Sequence, residues 1–557
     1  MFEQRHREII EQGDKLFGER GIFIILCQEL AENFYPERAD FTAVRTVGDT
    51  FANNLDTSYP IQARRDLGNA FEALMRPPGK NWFNVRLKRE QNEDEEARRW
   101  LEKATRIQRR ALYDRESNFM RATKEADHDF ACFGQCVISS EPALSPTTGA
   151  ILLHRNWHLR DVAWSVNSYG RIDDIHRKWK PGARELVNLF PKTVHPSVRK
   201  LAVKEPFTTL DVRHIVVLSA DYEKKFKTPY VSLYLDVENQ HVLEEIGSTN
   251  QIYVIPRWQT VSGSQYAYSP AAIAALPDAR LLQAMTYTLL TAGEFAVSPA
   301  LIGVQEAIKG GLEIFPGGFT AVDAAYDERL GEVLRPLEMG GAKGIPLGLK
   351  MNQDTRMMIA DAFYLSKLSL PQAGLGGMSP YEVSQRMEEF IRQALPLFEP
   401  MEPEYNGALM ELDFDILLRN GAFGPAASIP ESLRGQETEF RFESPLRESL
   451  DRLKGQQFLE AKNLIAEGAQ LDPMAPKMIN ARTALRDSLR GIGIPATWMT
   501  DEAEMEALDQ QAQQAQKMMS MVQAASAGGQ AAEQVGKGGQ AIKEMMTPNE
   551  QPGPAAP

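Results

Sequence analysis

Cysteine is nearly missing: Cys27, Cys132 and Cys136 are the three in 557 residues. Three thiols cannot build a disulfide framework, so a reducing compartment is expected. Long apolar runs are missing too. The early stretch Ile22 to Cys27 falls far short of the ~20 residues a membrane span needs. Residues 1–13 are charged and lack the apolar segment of a signal peptide. Catalytic signatures are equally scarce. No G-x-x-x-x-G-K-[ST] occurs, and Gly79-Lys80 and Gly536-Lys537 lack the rest of it. Nor is there an H-E-x-x-H, a G-x-S-x-G or an EF-hand loop. Neither an enzyme nor a cofactor or metal site is expected. Positive charge is in deficit, 62 Lys and Arg against 75 Asp and Glu, for a net −13. That balance argues against a sequence-specific DNA binder, which would carry a basic face.

What is present is ample material for an α+β, multidomain protein. The length exceeds one hydrophobic core. Residues 1 to about 125 read mainly as helices, with 3.6-residue apolar spacing at 13–32 and 97–126. Pro77-Pro78-Gly79 interrupts them, and a short strand is expected at 82–85. From about 128 to 260 the texture is β-rich. Strands are expected at 135–138, 151–154, 162–166, 215–218, 230–235 and 251–256, and a hairpin turns at Gly170 into 172–179.

Ser269-Pro270 then reads as an N-cap followed by proline in the first turn of a helix. Pro277 predicts either a kink or a helix that starts near Asp278. Residues 298–350 are rich in Gly and Pro and look like a small loop-rich subdomain. A helix follows at about 354–368, then a Gly-rich loop at 369–378. Ser379-Pro380-Tyr381-Glu382 is a capping box ahead of a long, kinked helix that resumes at 404–418. A strand is expected at 438–443, helices at 474–491 and 500–524, and a disordered tail at 526–557.

Three side-chain groups invite a chemical reading. Cys132 and Cys136, with His154 and His158, have zinc-like spacing. The plainer reading is two buried cysteines and two histidines on a sheet surface. Glu93-Asp94-Glu95-Glu96 reads as the solvated first turn of a helix. Lys224-Lys225-Phe226-Lys227 reads as a hairpin tip in solvent.

The order of elements resembles the portal proteins of tailed phages, and the sequence resembles the head-to-tail connector family of short-tailed bacteriophages. Carrying the likeness are Ala73-Leu74-Met75-Arg76-Pro77-Pro78 with Trp82-Phe83, and His158-Leu159-Arg160-Asp161 through Gly170-Arg171-Ile172-Asp173. Ser269-Pro270-Ala271, Val297-Ser298-Pro299-Ala300-Leu301 and Met378-Ser379-Pro380-Tyr381-Glu382-Val383 add to it. Leu417-Leu418-Arg419-Asn420-Gly421, Phe442-Glu443-Ser444-Pro445-Leu446 and Gly493-Ile494-Pro495-Ala496-Thr497-Trp498 complete the set. The likeness spans about residues 5–515.

The resemblance implies a wing at 1–265, to which part of 379–443 returns through a long kinked helix and a strand. It implies a stem helix at 266–297, a clip at 298–350 and a returning stem helix at 351–368. A tunnel loop at 369–378 and a helical crown at 444–525 complete the plan. The loop comprises Ser369, Leu370, Pro371, Gln372, Ala373, Gly374, Leu375, Gly376, Gly377 and Met378. It holds no cation, so the implied basic residues near the channel are Lys367 and Arg356. At the clip, Phe315, Pro316, Gly317, Gly318 and Phe319 would meet the terminase large subunit and later the tail adaptor and nozzle proteins. Other implied partners are major capsid and scaffolding proteins, and double-stranded DNA without sequence specificity. A homo-oligomer, typically a dodecamer, would sit at the portal vertex of the virion after assembly in the host cytoplasm. Twelve copies at −13 each would bring about −156 formal charges, which would keep phosphates from sticking to the channel. The alternatives are another virion structural protein, such as an adaptor or internal core protein, and a DNA-processing enzyme.

Overall fold

The computed structural model describes residues 4–46, 48, 55–77, 79–88, 94–143, 151–222, 226–297, 301–303, 308–309, 321–322, 334–336, 341–368, 401–425 and 428–442. It adds 461–465, 484–485, 488, 514 and 517. The chain divides into two units, Met1–Ser449 and Leu450–Pro557. In the second, Ser488 donates to the Ala484 carbonyl within a helical turn; of the helices expected at 474–491 and 500–524, residues 484, 485, 488, 514 and 517 are helical, and the rest lie outside the described residues, as does the expected tail.

Helices α1 (Gln4–Glu19), α2 (Gly21–Phe34) and α3 (Tyr59–Met75) lead into β1 (Phe83–Leu87), then α4 (Glu95–Leu112) and α5 (Phe119–Phe133). Asp94 caps α4 by accepting from the Ala97 amide at 2.7 Å, which gives the acidic run a structural use. Strands β2 (Val137–Pro142), β3 (Leu152–Trp157), β4 (Val162–Val166) and β5 (Ile172–Trp179) follow. A helical excursion, α6 (Ala183–Leu189) and α7 (Pro196–Lys204), precedes β6 (Val212–Leu218). The short α8 (Ser219–Tyr222), β7 (Tyr230–Asp236), β8 (His241–Ser248) and β9 (Tyr253–Val254) complete the β-rich part. The excursion and β8 go beyond the sequence expectation. Glu244 and Glu245 break the apolar alternation of β8, as suits a strand at a sheet edge.

Strands β4-β5-β6-β7-β8 form an antiparallel sheet, and β3-β2-β9 form a second. β6 is central and almost wholly buried, because both its faces are covered. Ile215 and Val217 point toward Ile9 of α1, while Val212 packs with Leu186 and Val198 of the excursion. This is the two-residue period of a strand serving two cores.

The chain then forms α9 (Pro270–Val297), short strands β10 (Leu301–Gly303), β11 (Ile308–Lys309), β12 (Ala321–Val322) and β13 (Leu334–Pro336), and α10 (Gly341–Ala362) with α11 (Leu365–Leu368). A π-helical turn at Glu402–Gly407 runs into α12 (Ala408–Arg419). Last comes β14 (Thr438–Phe442), which pairs antiparallel with β1, Phe83 facing Phe442. That pairing draws residues far apart in sequence into one core around Trp82, whose ring stacks near Phe119 and Phe442. The capping box at Ser379–Glu382 lies outside the described residues.

Candidate functional site: the helical hairpin and its anchor

Two antiparallel helices dominate the candidate site. Ser269 starts α9 as expected: its hydroxyl accepts from the Ala272 amide at 3.1 Å and donates to the Ala131 carbonyl at 2.8 Å. The helix continues through Pro277, so a restart near Asp278 does not occur. At 28 residues it is about 42 Å long. Its first half is buried through Ala271, Ala275, Ala279 and Leu282. Small residues let it lie close to its neighbours there.

The return helix α10 begins at Gly341, well before the expected 354, with residues 341–353 as further turns that run through Pro346. The two helices meet where Asn352 donates to Thr286 Oγ1 at 3.1 Å. Gly348 lies so close to Leu289 that a Cβ would come within 2.7 Å of it. Gln283 ties α9 to the 56–57 segment. Its carbonyl accepts from both amides, at 2.8 and 3.0 Å, and its amide donates back to Thr57.

Toward its end α10 is anchored by Ile359 and Phe363, both fully buried, the latter against Phe34. Tyr364 then adopts φ +59° and separates α10 from α11. Nothing in the sequence marks this break, since a glycine would be the usual residue there.

Of the expected site residues, Arg356 lies exposed on α10, its guanidinium 5.6 Å from the Tyr59 ring. Lys367 lies exposed on α11, 5.7 Å from the Tyr364 ring. Neither has a carboxylate partner among the described residues. Ser369 to Met378 and Phe315 to Phe319 lie outside the described residues, as do Lys224 and Lys225.

The four zinc-like residues are engaged separately. Cys132 sits inside α5, not beside a strand as expected, and its thiol points at the Leu30 carbonyl. Burial pushes the thiols of Cys27, Cys132 and Cys136 up. His154 is buried rather than on a sheet surface. Its Nε2 lies 3.0 Å from Asp413 and its Nδ1 3.1 Å from the Ser117 carbonyl. His158 pairs instead with Asp40 at 2.5 Å. Hydrogen bonding to His158, and the charges of His158 and Arg160, hold the Asp40 carboxyl at about 2 against its partial burial.

The charged core that sequence reading missed joins α3, α5 and the π-helical turn. Arg76 grips Asp127 through both carboxylate oxygens and donates to Asn406 Oδ1 at 2.7 Å. Tyr405 donates to Asp127 at 2.9 Å, and all four side chains are buried. Burial alone would lower the Arg76 pKa, but Asp127 overrides it and holds Arg76 charged.

Among the described residues, no group of three or more His, Cys, Asp or Glu could hold a metal, and no helix is long and apolar enough to cross a membrane. No curated protein matches the chain. Solved structures similar to it at low level include two from gene transfer agent particles. One is the virion of a native gene transfer agent particle (9% identity, TM-score 0.29, covering 71% of this chain and 95% of that one). The other is the neck of an empty gene transfer agent particle (11%, 0.34, 79% and 90%). The family model described as bacteriophage head to tail connecting protein matches residues 6–499, and the chain belongs to that family, whose members are structural portal proteins of the virion.

Proposed function

We propose that copies of this chain close into a ring around a channel for double-stranded phage DNA, at one vertex of the capsid. The ring serves genome packaging, retention and ejection. The observation that carries this reading is the family match over residues 6–499. The helical hairpin supports it. Tyr287, Leu290 and Phe295 on α9 and Leu347, Met357 and Met358 on α10 are all at least half exposed. Such a run of apolar surface is costly in a monomer and is buried when neighbouring copies pack side by side. Contacts of this head-to-tail kind close when the rotation between copies divides a full turn.

In this reading α9 and the part of α10 from residue 351 onward are the stem, residues 298–350, which include the first turns of α10, the clip, 369–378 the tunnel loop and 444–525 the crown. The clip, with Phe315 to Phe319, receives the terminase large subunit during packaging and tail adaptor and nozzle proteins afterwards. Major capsid and scaffolding proteins are further partners in this reading. The loop contacts DNA by backbone and small side chains, since it holds no Lys or Arg, and the basic residues proposed near the channel are Lys367 and Arg356. The test is particle mass by light scattering, with negative-stain images. A ring of about twelve copies of the 62.4 kDa chain with a central hole is expected. A stable monomer at micromolar concentration sinks the reading.

A further inference from the structure

Two surfaces of the first unit are complementary in a way that nothing within the unit uses. The first is the α6–α7 excursion. Residues 180–207 hold six cations (Lys180, Arg184, Lys192, Arg199, Lys200, Lys204) against two acids, Glu185 and Glu205. Their net +4 leaves −17 on the rest of the chain. All six are exposed, and none forms an ion pair among the described residues. Arg199 spends its guanidinium on the carbonyls of Pro191 and Lys192.

Both helices put their apolar sides on one core, through Leu186 and Val198, so the cations stand on the side facing away. Among them are two large apolar side chains left in water, Val203 at 84% and Phe207 at 83% exposure. Phe207 is held beside the start of α6, where the Arg184 amide donates to the Pro206 carbonyl at 3.1 Å. An apolar pair inside a charged rim is the anatomy of a protein-docking surface. A nucleic acid backbone would have no use for the pair.

The second surface is the outer side of α2. Ile22 is 86% and Ile25 63% exposed. They stand at i and i+3, so they share a face. Its rim is acidic: exposed Glu19 precedes them and exposed Glu32 follows, with Glu29 between. Glu29 pairs with Arg280, Glu32 accepts from Gln28 at 2.7 Å, and among the described residues Glu19 meets Lys15 at 3.8 Å.

We propose that in the ring the α6–α7 surface of one copy docks on the α2 surface of the next. Val203 and Phe207 would meet Ile22 and Ile25, while Lys200 and Lys204 face Glu19 and Glu32. The contact is between two different patches, as a closed ring requires. This inference rests on the ring reading above and names surfaces that its neighbours share.

Charge swapping tests it in the full chain, followed by sedimentation velocity and negative stain at matched concentration and low salt. Lys200→Glu with Lys204→Glu should shift at least half of the ring material to smaller species, and so should Glu19→Lys with Glu32→Lys. All four changes in one chain should restore most of the ring, because every contact then carries the reversed pair. Phe207→Ser should weaken the ring without changing its salt dependence. Circular dichroism of each variant separates misfolding from lost docking; all substituted side chains are exposed, so native spectra are expected. Rings that ignore both reversals, or folded fourfold variants that do not recover, overturn the docking while leaving the ring reading intact. A wild-type chain that stays monomeric overturns both.

Discussion

Gly134 and Gly170 share a left-handed backbone, at φ +73° and +77°, yet their surroundings differ. A Cβ on Gly170 would meet nothing within 4 Å, whereas one on Gly134 would lie 2.2 Å from the backbone at Tyr268 and Ser269. Gly170→Ala should therefore cost only about 1–2 kcal/mol, the price of the conformation. Gly134→Ala adds a clash that a backbone cannot relieve by rotating a side chain, and about 2–5 kcal/mol is expected. Urea denaturation of both variants checks the order; equal losses would contradict it. His176 carries a second residue-scale prediction. Burial, and secondarily Arg213, lower its pKa from 6.5 to about 4. The unfolded chain then takes up the proton more readily than the folded one. Stability is complete above pH 6.5 and falls as pH drops toward 4, by roughly 3 kcal/mol from this group. His128, lowered to about 4 chiefly by burial, acts in the same direction. Denaturation midpoints at pH 7.5 and 4.5 measure the slope, and His176→Gln should flatten it. Gly170 was readable as a turn from its neighbours. The demand on Gly134 was not, because the atoms that crowd it belong to a segment more than a hundred residues away.

At the scale of elements, the π-helical turn at Glu402–Gly407 is held by charge. Tyr405 and Asn406 are its contribution to the Arg76–Asp127 group, which ties it to α3 and α5. Removing one partner leaves the other charge buried and unpaired, so Arg76→Met should cost about 3–5 kcal/mol. Arg76→Met with Asp127→Leu should recover part of that loss, since two apolar groups need no partner. A double-mutant cycle in urea reads the coupling, and purely additive losses would exclude it. Elements whose pattern is local were legible: β4 and β5 occupy the expected residues 162–166 and 172–179, and Ser269-Pro270 does open α9. Less legible were β8, whose glutamates hide the strand period, and the break at Tyr364, where tertiary anchoring of Phe363 prevails over local preference.

At the scale of the molecule, the proposed function lies in assembly. Large apolar side chains stand exposed on α2, α7, α9 and α10. If 369–378 contacts DNA in the channel as proposed, deleting it should leave ring mass unchanged and impair DNA packaging or retention in an in vitro packaging assay. Loss of the ring itself would assign that loop to structure instead. The candidate site was legible in outline: a helix, a Gly-rich interruption and a returning helix stand in order along the chain. How the two helices seat on each other was not, because Thr286, Asn352, Gln283 and Gly348 become partners only when distant segments meet.

By itself the amino-acid sequence determined the local and the compositional. Periodicity sets which segments become helix or strand, proline and serine set where α9 opens, and residue totals set the net charge. These depend on near neighbours and on totals, which need no fold to be counted. The tertiary structure alone decided what meets what. It joined β1 to β14, buried Arg76 with Asp127, moved Cys132 into a helix and His154 into the core, and left one basic and one acidic apolar face in water. Pairing across long sequence separations depends on which desolvated surfaces fit together, and that is fixed only when the whole unit packs.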